Sequence, residues 1–284
     1  MIDQLTVKDL LEILEGIAPA GLAEQWDNVG LIVGNPDQQI TGLLVALDPT
    51  EEVLAEAKEL GANTIITHHP LIFHPLKAIY TDQPLGRFLQ NALAGKIAVI
   101  GCHTNLDQAV NGVNDVLAAS LGMVESSPLA AAEVPGGRPA MNEDVPAAGF
   151  GRLGRLGEPL SGEAFITKLG RALDLSVLRV AGSLPKEINT IAVCGGSGSE
   201  LAEQAFAQGA QVYVTGEVKH STARWAEAVG FCVVDAGHYA TENPVVESLA
   251  NRLNDIVSAR GVDISIHTSA KQKNPFAYHQ PLDS

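Results

Sequence analysis

Two stretches of this chain, far apart in sequence, carry the same order of elements, and that repeat constrains the fold more than any other feature. Residues 43–69 (LLVALDPTEEVLAEAKELGANTIITHH) align without a gap on residues 191–217 (IAVCGGSGSELAEQAFAQGAQVYVTGE), a shift of 148. Each copy reads as apolar strand, turn, helix, Gly-Ala and apolar strand. Farther along, GKIAVIGCHTNLD (95–107) aligns on GFCVVDAGHYATE (230–242) with a shift of 135, which sets His103 against His238 and Asp107 against Glu242. Strand-length apolar runs alternating with helical stretches predict an α/β fold, here a duplicated three-layer α/β/α unit. We expect strands at 43–47, 64–67, 97–101, 191–194, 211–215 and 231–234. Helices are expected at 51–60, 85–94, 110–121, 200–208, 221–228 and 244–258. The stretch 130–159, rich in Ala, Gly and Pro, reads as a linker plus an irregular strand region. The first repeat then occupies 1–128, and the linker with the second repeat 129–284.

A length of 284 residues accommodates two such units, and 46% hydrophobic against 18% charged residues is a globular composition. With 18 Lys and Arg against 33 Asp and Glu, the formal charge is −15. Nucleic acid is therefore an unlikely partner, because neutralising phosphates needs a basic surface. Attachment to an anionic membrane surface is disfavoured for the same reason. The N-terminal MIDQLTVKDLLEILEGIAP has acids in its first turns and helical periodicity, unlike a secretory signal. No apolar run approaches the roughly 20 residues needed to span a bilayer. Cys102, Cys194 and Cys232 are too few and too odd in number for a disulfide framework. We read them as reduced and buried, in a cytoplasmic protein.

Polar residues stand just past the strand ends in both copies, the edge where open α/β sheets bind ligands. His68 and His69 follow the strand TIIT and precede Pro70, which stops the strand. A third HxxxD pair, His279 and Asp283 in the tail, has no counterpart in the repeat. Imidazole and carboxylate without cysteine suit Zn, Mn, Fe or Co in a catalytic setting. A mononuclear catalytic zinc needs about three protein ligands. His68, His69, Asp107, His238 and Glu242 exceed that, with His103 to spare, so they point to two divalent transition metal ions roughly 3.5 to 4 Å apart. The competing reading has these side chains capping helices and closing strand ends.

Other motifs are weaker. GFGRLG (149–154) fits the dinucleotide fingerprint, but no buried strand precedes it and no helix follows at once. GGSG (195–198) links a strand to a helix, so Gly195, Gly196 and Ser197 either hold an anion on backbone N–H groups or form a simple tight turn. Lys219 and His220 either meet substrate charge or cap the following helix. Trp26, Asp27 and Asn28 lie in a turn where packing is the expected role. His74 and Pro75 belong to the loop after the His pair, and His267 and His279 to a C-terminal strand and tail without a chemical partner.

The stretches WDNVGL (26–31), THHPLIF (67–73), HTNLD (103–107), GFGRLG (149–154), TGEVKH (215–220), GHYATE (237–242) and NPF (274–276) carry a resemblance. Through them, nearly end to end, the chain resembles the GTP cyclohydrolase 1 type 2 family, also described as dinuclear metal centre hexameric proteins. The resemblance implies that His68 and His238 serve one metal and His69 and Asp107 the other, with Glu242 bridging. It implies two intertwined repeats and a homohexamer whose metal sites face an inner cavity. Some longer relatives carry an extra domain between the halves, which the short linker here cannot hold. It further implies a hydrolase acting on a small molecule, in which metal-activated water opens the guanine imidazole ring of GTP at C8. His103 then shuttles a proton, and Lys219, Arg152 or Arg155 supplies positive charge for the phosphates. A phosphoesterase with the same metals, and a metal-loaded scaffold without activity, are the alternatives.

Overall fold

The computed structural model describes residues 4–132 and 147–278. Thr6 starts the first helix with a capping box: Asp9 N donates to Thr6 Oγ1 at 3.2 Å, and Thr6 N donates to Asp9 Oδ2 at 2.8 Å. In this helix, α1 (Val7–Ile17), Val7, Leu10, Ile13, Leu14 and Ile17 fall on one face and are buried. There follow β1 (Gly30–Val33), β2 (Gly42–Ala46), α2 (Glu51–Glu59), β3 (Thr64–Thr67), α3 (Pro84–Ala94), β4 (Ala98–Gly101), α4 (Thr104–Gln108) and α5 (Val113–Ser120). The chain continues through β5 (Met123–Ala131), β6 (Gly149–Leu160), α6 (Gly162–Ala172), β7 (Arg179–Ala181), β8 (Ile188–Cys194) and α7 (Ala202–Ala207). It ends with β9 (Val212–Thr215), α8 (His220–Val229), β10 (Cys232–Asp235), α9 (His238–Glu242), α10 (Pro244–Ala259) and β11 (Ser265–Thr268).

These strands form two sheets, ordered β1-β4-β3-β2-β11 and β5-β6-β8-β9-β10-β7. Each contains a parallel core, β4-β3-β2 in one and β10-β9-β8 in the other, as the repeat predicts. β3 and β9 lie 148 residues apart, the shift seen in the sequence. An antiparallel strand flanks the same edge of each core, β1 on β4 and β7 on β10. Every residue of β2, β3, β4, β9 and β10 is buried, which explains why these runs read as continuous rather than alternating apolar segments. On the first sheet, Leu43, Val45, Ile66 and Ile100 pack against α1 and α10, while Leu44, Ile65 and Val99 pack against α2 and α3. The second sheet is covered alike, by α5 and α6 on one face and by α7 and α8 on the other. The architecture is thus a duplicated three-layer α/β/α unit.

Two features depart from the simple tandem. The stretch expected as a linker plus an irregular strand region (130–159) holds in its second part the long strand β6, paired with β5 on one side and β8 on the other. The apolar signal is masked because buried positions are filled by glycines and by Arg152. At Gly149 an added Cβ would lie 2.2 Å from Ala130 O, so glycine is what lets β6 approach β5. GFGRLG is therefore part of a strand and not a strand-to-helix turn. Most of the expected linker, 133–146, lies outside the described residues. Second, the sheets interleave along the chain: residues 123–128 begin β5 in the second sheet, whereas α10 and β11 return to the first. No helix among the described residues is long and apolar enough to cross a membrane. The three cysteines are free and buried, and burial pushes the Cys102 thiol up to about 12.

Candidate metal centre

The parallel cores bring four chain segments together at their C-terminal ends. Beyond β3, His68 N and His69 N continue the pairing by donating to Ala46 O (3.2 Å) and Leu47 O (2.9 Å), until Pro70 removes the next donor. Beyond β4, His103 and α4 present Asp107. Beyond β9 the chain passes through Gly216 and Glu217, and beyond β10 Gly237, at φ +81°, turns it into α9. One helical turn there places His238 and Glu242 on the same face, with Nε2 and Oε2 2.9 Å apart. The approach is close enough that glycine is required twice. A Cβ on Gly196, at φ +62°, would lie 2.0 Å from Glu242 Oε1, and one on Gly216 would lie 2.7 Å from His238 Cα.

All five residues expected to ligate metal meet there, three from the first repeat and two from the second. His68 Nε2 lies 3.6 Å from Asp107 Oδ1 and 3.7 Å from Glu242 Oε1. His69 Nε2 lies 3.1 Å from Glu242 Oε2 and 3.3 Å from His238 Nε2. Two sets able to hold an ion result, His68 with Asp107 and Glu242, and His69 with His238 and Glu242. Glu242 faces one set with each oxygen. This partition differs from the one the resemblance implies: His68 groups with Asp107, and His238 with His69, because His238 and His69 face each other across the junction of the sheets. His103 forms a further set with His68 and His69.

Each of the four imidazoles is held by its Nδ1. His68 Nδ1 pairs with Cys102 O at 2.9 Å, His69 Nδ1 with Asp48 Oδ1 at 2.7 Å, His103 Nδ1 with Asp27 Oδ1 at 2.8 Å and His238 Nδ1 with Glu217 Oε1 at 3.0 Å. Oxygen partners on Nδ1 favour the tautomer whose Nε2 lone pair is free, as at most histidine metal sites. Sequence reading missed Asp48 and Glu217 and assigned Asp27 to packing. Glu217 was legible as the repeat counterpart of His69, and Asp48 as the residue just past β2. The Asp27 side chain is fully buried and also accepts from Thr104 N at 3.0 Å. Burial would raise its pKa, but the bonds from His103 and Thr104 hold it well below the usual carboxylate range.

The residues present fit bound cations. His68 Nε2 and Asp107 Oδ1 are buried without a hydrogen-bond partner among the described residues. Such orphaned groups cost about 1–3 kcal/mol each, a penalty that a shared cation removes. Burial opposes charge on His69, yet Asp48 and Glu242 push its pKa up to about 10. Burial likewise pushes Asp107 up to about 6 against the pull of His68. Burial disfavours the Glu242 carboxylate, but His68, His238 and His69 together hold its pKa well below the usual value.

Of the expected substrate contacts, Gly195 and Gly196 border the centre. The amides proposed as an anion cradle are engaged within the protein: Gly195 N donates to Asn114 Oδ1 (3.0 Å), Gly196 N to Thr241 Oγ1 (3.0 Å) and Gly198 N to Thr215 Oγ1 (3.1 Å). With its neighbours so engaged, Ser197 belongs to a tight turn that gives Glu242 room. Lys219 occupies the N-cap position of α8 without a side-chain capping bond, and its ammonium lies 3.6 Å from Glu200 on the surface. Arg152 is buried against Asp115 and the carbonyls of Gly149 and Gly151, and Arg155 is exposed beside Glu125. None of the three supplies charge to the centre. His279 lies outside the described residues.

The Duf34/NIF3 (NGG1p interacting factor 3) family model matches residues 5–275. A protein of Clostridium acetobutylicum named GTP cyclohydrolase 1 type 2 homolog is 33% identical over 274 residues, covering 96% of this chain and 99% of that protein. One of the same name from Clostridium perfringens is 33% identical over 279 residues, covering 96% and 100%. Among solved structures, a Bacillus cereus protein related to NIF3 superposes with a TM-score of 0.89 at 28% identity, over 98% of this chain and 100% of that one. The chain belongs to the Duf34/NIF3 family.

Proposed function

We propose that this protein is a dinuclear-metal-dependent hydrolase acting on a small molecule. The observation that carries this reading is the set of four imidazoles, each anchored at Nδ1, three of them around a carboxylate that offers one oxygen to each of two donor sets. His68, Asp107 and Glu242 would hold one divalent transition metal, and His69, His238 and Glu242 the other. Zn, Fe, Mn and Co all suit such donors. When bound, such a pair supplies Lewis acidity and activated water at neutral pH. Asp48 and Glu217 fix the facing imidazoles. His103, oriented by Asp27 and bordering the first donor set, accepts a proton from the attacking water at Nε2 and returns it to the leaving nitrogen.

The name carried by the relatives suggests GTP as the substrate and water addition at C8 of guanine as the reaction, opening the imidazole ring. Incubating metal-loaded protein with a panel of nucleotides and phosphoesters, followed by mass spectrometry, tests this. We expect a base that has gained water. A base left intact while phosphate is released would replace ring opening with phosphoester hydrolysis, and no turnover with any metal would favour a scaffold. We further propose a cytoplasmic homohexamer. Trp26, Ile79 and Tyr80 leave more than half of their surface exposed, as residues of an oligomer contact would in one protomer. Light scattering should give six times the chain mass, and a monomer would contradict it.

A further inference from the structure

Beside the His69 and His238 half of the centre lies a cavity of about 520 Å³. One wall is α9, and another is the segment 274–278, which follows β11. Polar ties to the end of β2 and to α2 hold residues 269–272, which lead into that segment. Ser269 N donates to Val45 O at 2.9 Å and Ala270 N to Glu56 Oε1 at 2.9 Å. Gln272 Oε1 accepts from Leu47 N and, at 3.0 Å, from Asp48 N.

The wall chemistry is selective. Three aromatic side chains line the cavity, Tyr239, Phe276 and Tyr278, and the last two leave 77% and 64% of their surface uncovered. Rings presented with free faces beside a polar centre suit stacking with a planar ligand. The charges suit a polyanion poorly. Asp48, Glu217 and Asp235 all line the cavity, whereas Arg179 is the one Lys or Arg among its lining residues. Arg179 Nη1 already lies 3.1 Å from Asp235 Oδ2. Apart from the cations of the centre itself, a triphosphate entering here meets three carboxylates and one shared guanidinium. A neutral heterocycle meets three aromatic rings.

We propose that this cavity selects its ligand by a planar nitrogen heterocycle, so that a nucleoside binds within about tenfold of the corresponding triphosphate or tighter. The proposal rests on the hydrolase reading and narrows its substrate class, from a nucleotide recognised through phosphates to one recognised through its base. A ring seated there abuts His69 and His238, which line the same cavity.

The test is calorimetric titration of metal-loaded, full-length protein with guanosine, guanosine monophosphate, GTP and inorganic tripolyphosphate. We expect guanosine to bind within about tenfold of GTP or tighter, and tripolyphosphate not to displace it. Replacing the two exposed rings together, Phe276→Ala with Tyr278→Ala, should weaken guanosine by about tenfold or more at unchanged metal content, the loss expected of a stacking platform. GTP binding more than about tenfold tighter than guanosine, or displacement by tripolyphosphate, would overturn the proposal. So would unaltered affinity in the double variant, or no guanosine binding to protein that carries its metals. Guanosine bound to a protein that takes up no metal would instead overturn the hydrolase reading and leave the cavity assignment standing.

Discussion

Gly196 is a position where one methyl group decides the centre. Its backbone is left-handed, and an added Cβ would overlap Glu242 Oε1. Gly196→Ala should therefore displace the shared carboxylate and abolish binding of both metals, while costing about 1–3 kcal/mol in folding. Metal analysis alongside chemical denaturation checks this, and full metal content in the variant would contradict it. Asp27 poses a different question, since it touches His103 and no other histidine of the centre. In Asp27→Asn we expect metal content to persist and turnover to fall about 10- to 100-fold, as when an outer partner of a site histidine is lost. Its depressed pKa adds a pH signature. A carboxyl whose pKa is lowered by folding contributes stability that is complete above the unfolded value and lost as pH falls toward the folded one. The stability gap between parent and Asp27→Asn should thus be full at pH 7 and narrow below about pH 4. His68, His69, Asp107, His238 and Glu242 were legible in the sequence because the repeat aligns their neighbourhoods. Asp27 was not, since its partner lies 76 residues away and no spacing joins them.

At the scale of elements, the buried parallel strands were legible almost to the residue, because both of their faces are covered and their apolar runs are unbroken. β6 was hidden by its glycines and by Arg152, a buried cation whose ion pair with Asp115 leaves no trace in an apolar pattern. α10 was visible as a helix, but its destination was not, since amphipathicity reports a face and not the sheet it covers. Leu253 on α10 is fully buried against the first sheet, whereas Leu93 on α3 is 59% exposed. We expect Leu253→Ala to cost about 2–5 kcal/mol. Leu93→Ala should change stability by no more than about 0.5 kcal/mol. Denaturant titration of both variants checks the contrast, which would vanish if α10 packed loosely.

For the whole molecule, duplication explains why the chemistry sits where it does. Each three-layer unit ends its parallel strands at the same kind of edge, and each edge contributes histidine and a carboxylate one turn into a short helix, His103 with Asp107 and His238 with Glu242. The chain interleaves between the two units, with β11 returning to pair with β2 of the first sheet. The overall charge of −15 describes the exterior and says little about this junction, where carboxylates and imidazoles neutralise one another. Both repeats together are proposed to build a site for two metals around one carboxylate. Metal stoichiometry on protein purified without chelator tests it most directly, in the parent and in Glu242→Ala. We expect close to two transition-metal ions per chain, and near zero in the variant. One metal at most with no second binding event on titration, or undiminished metal in Glu242→Ala, would contradict it.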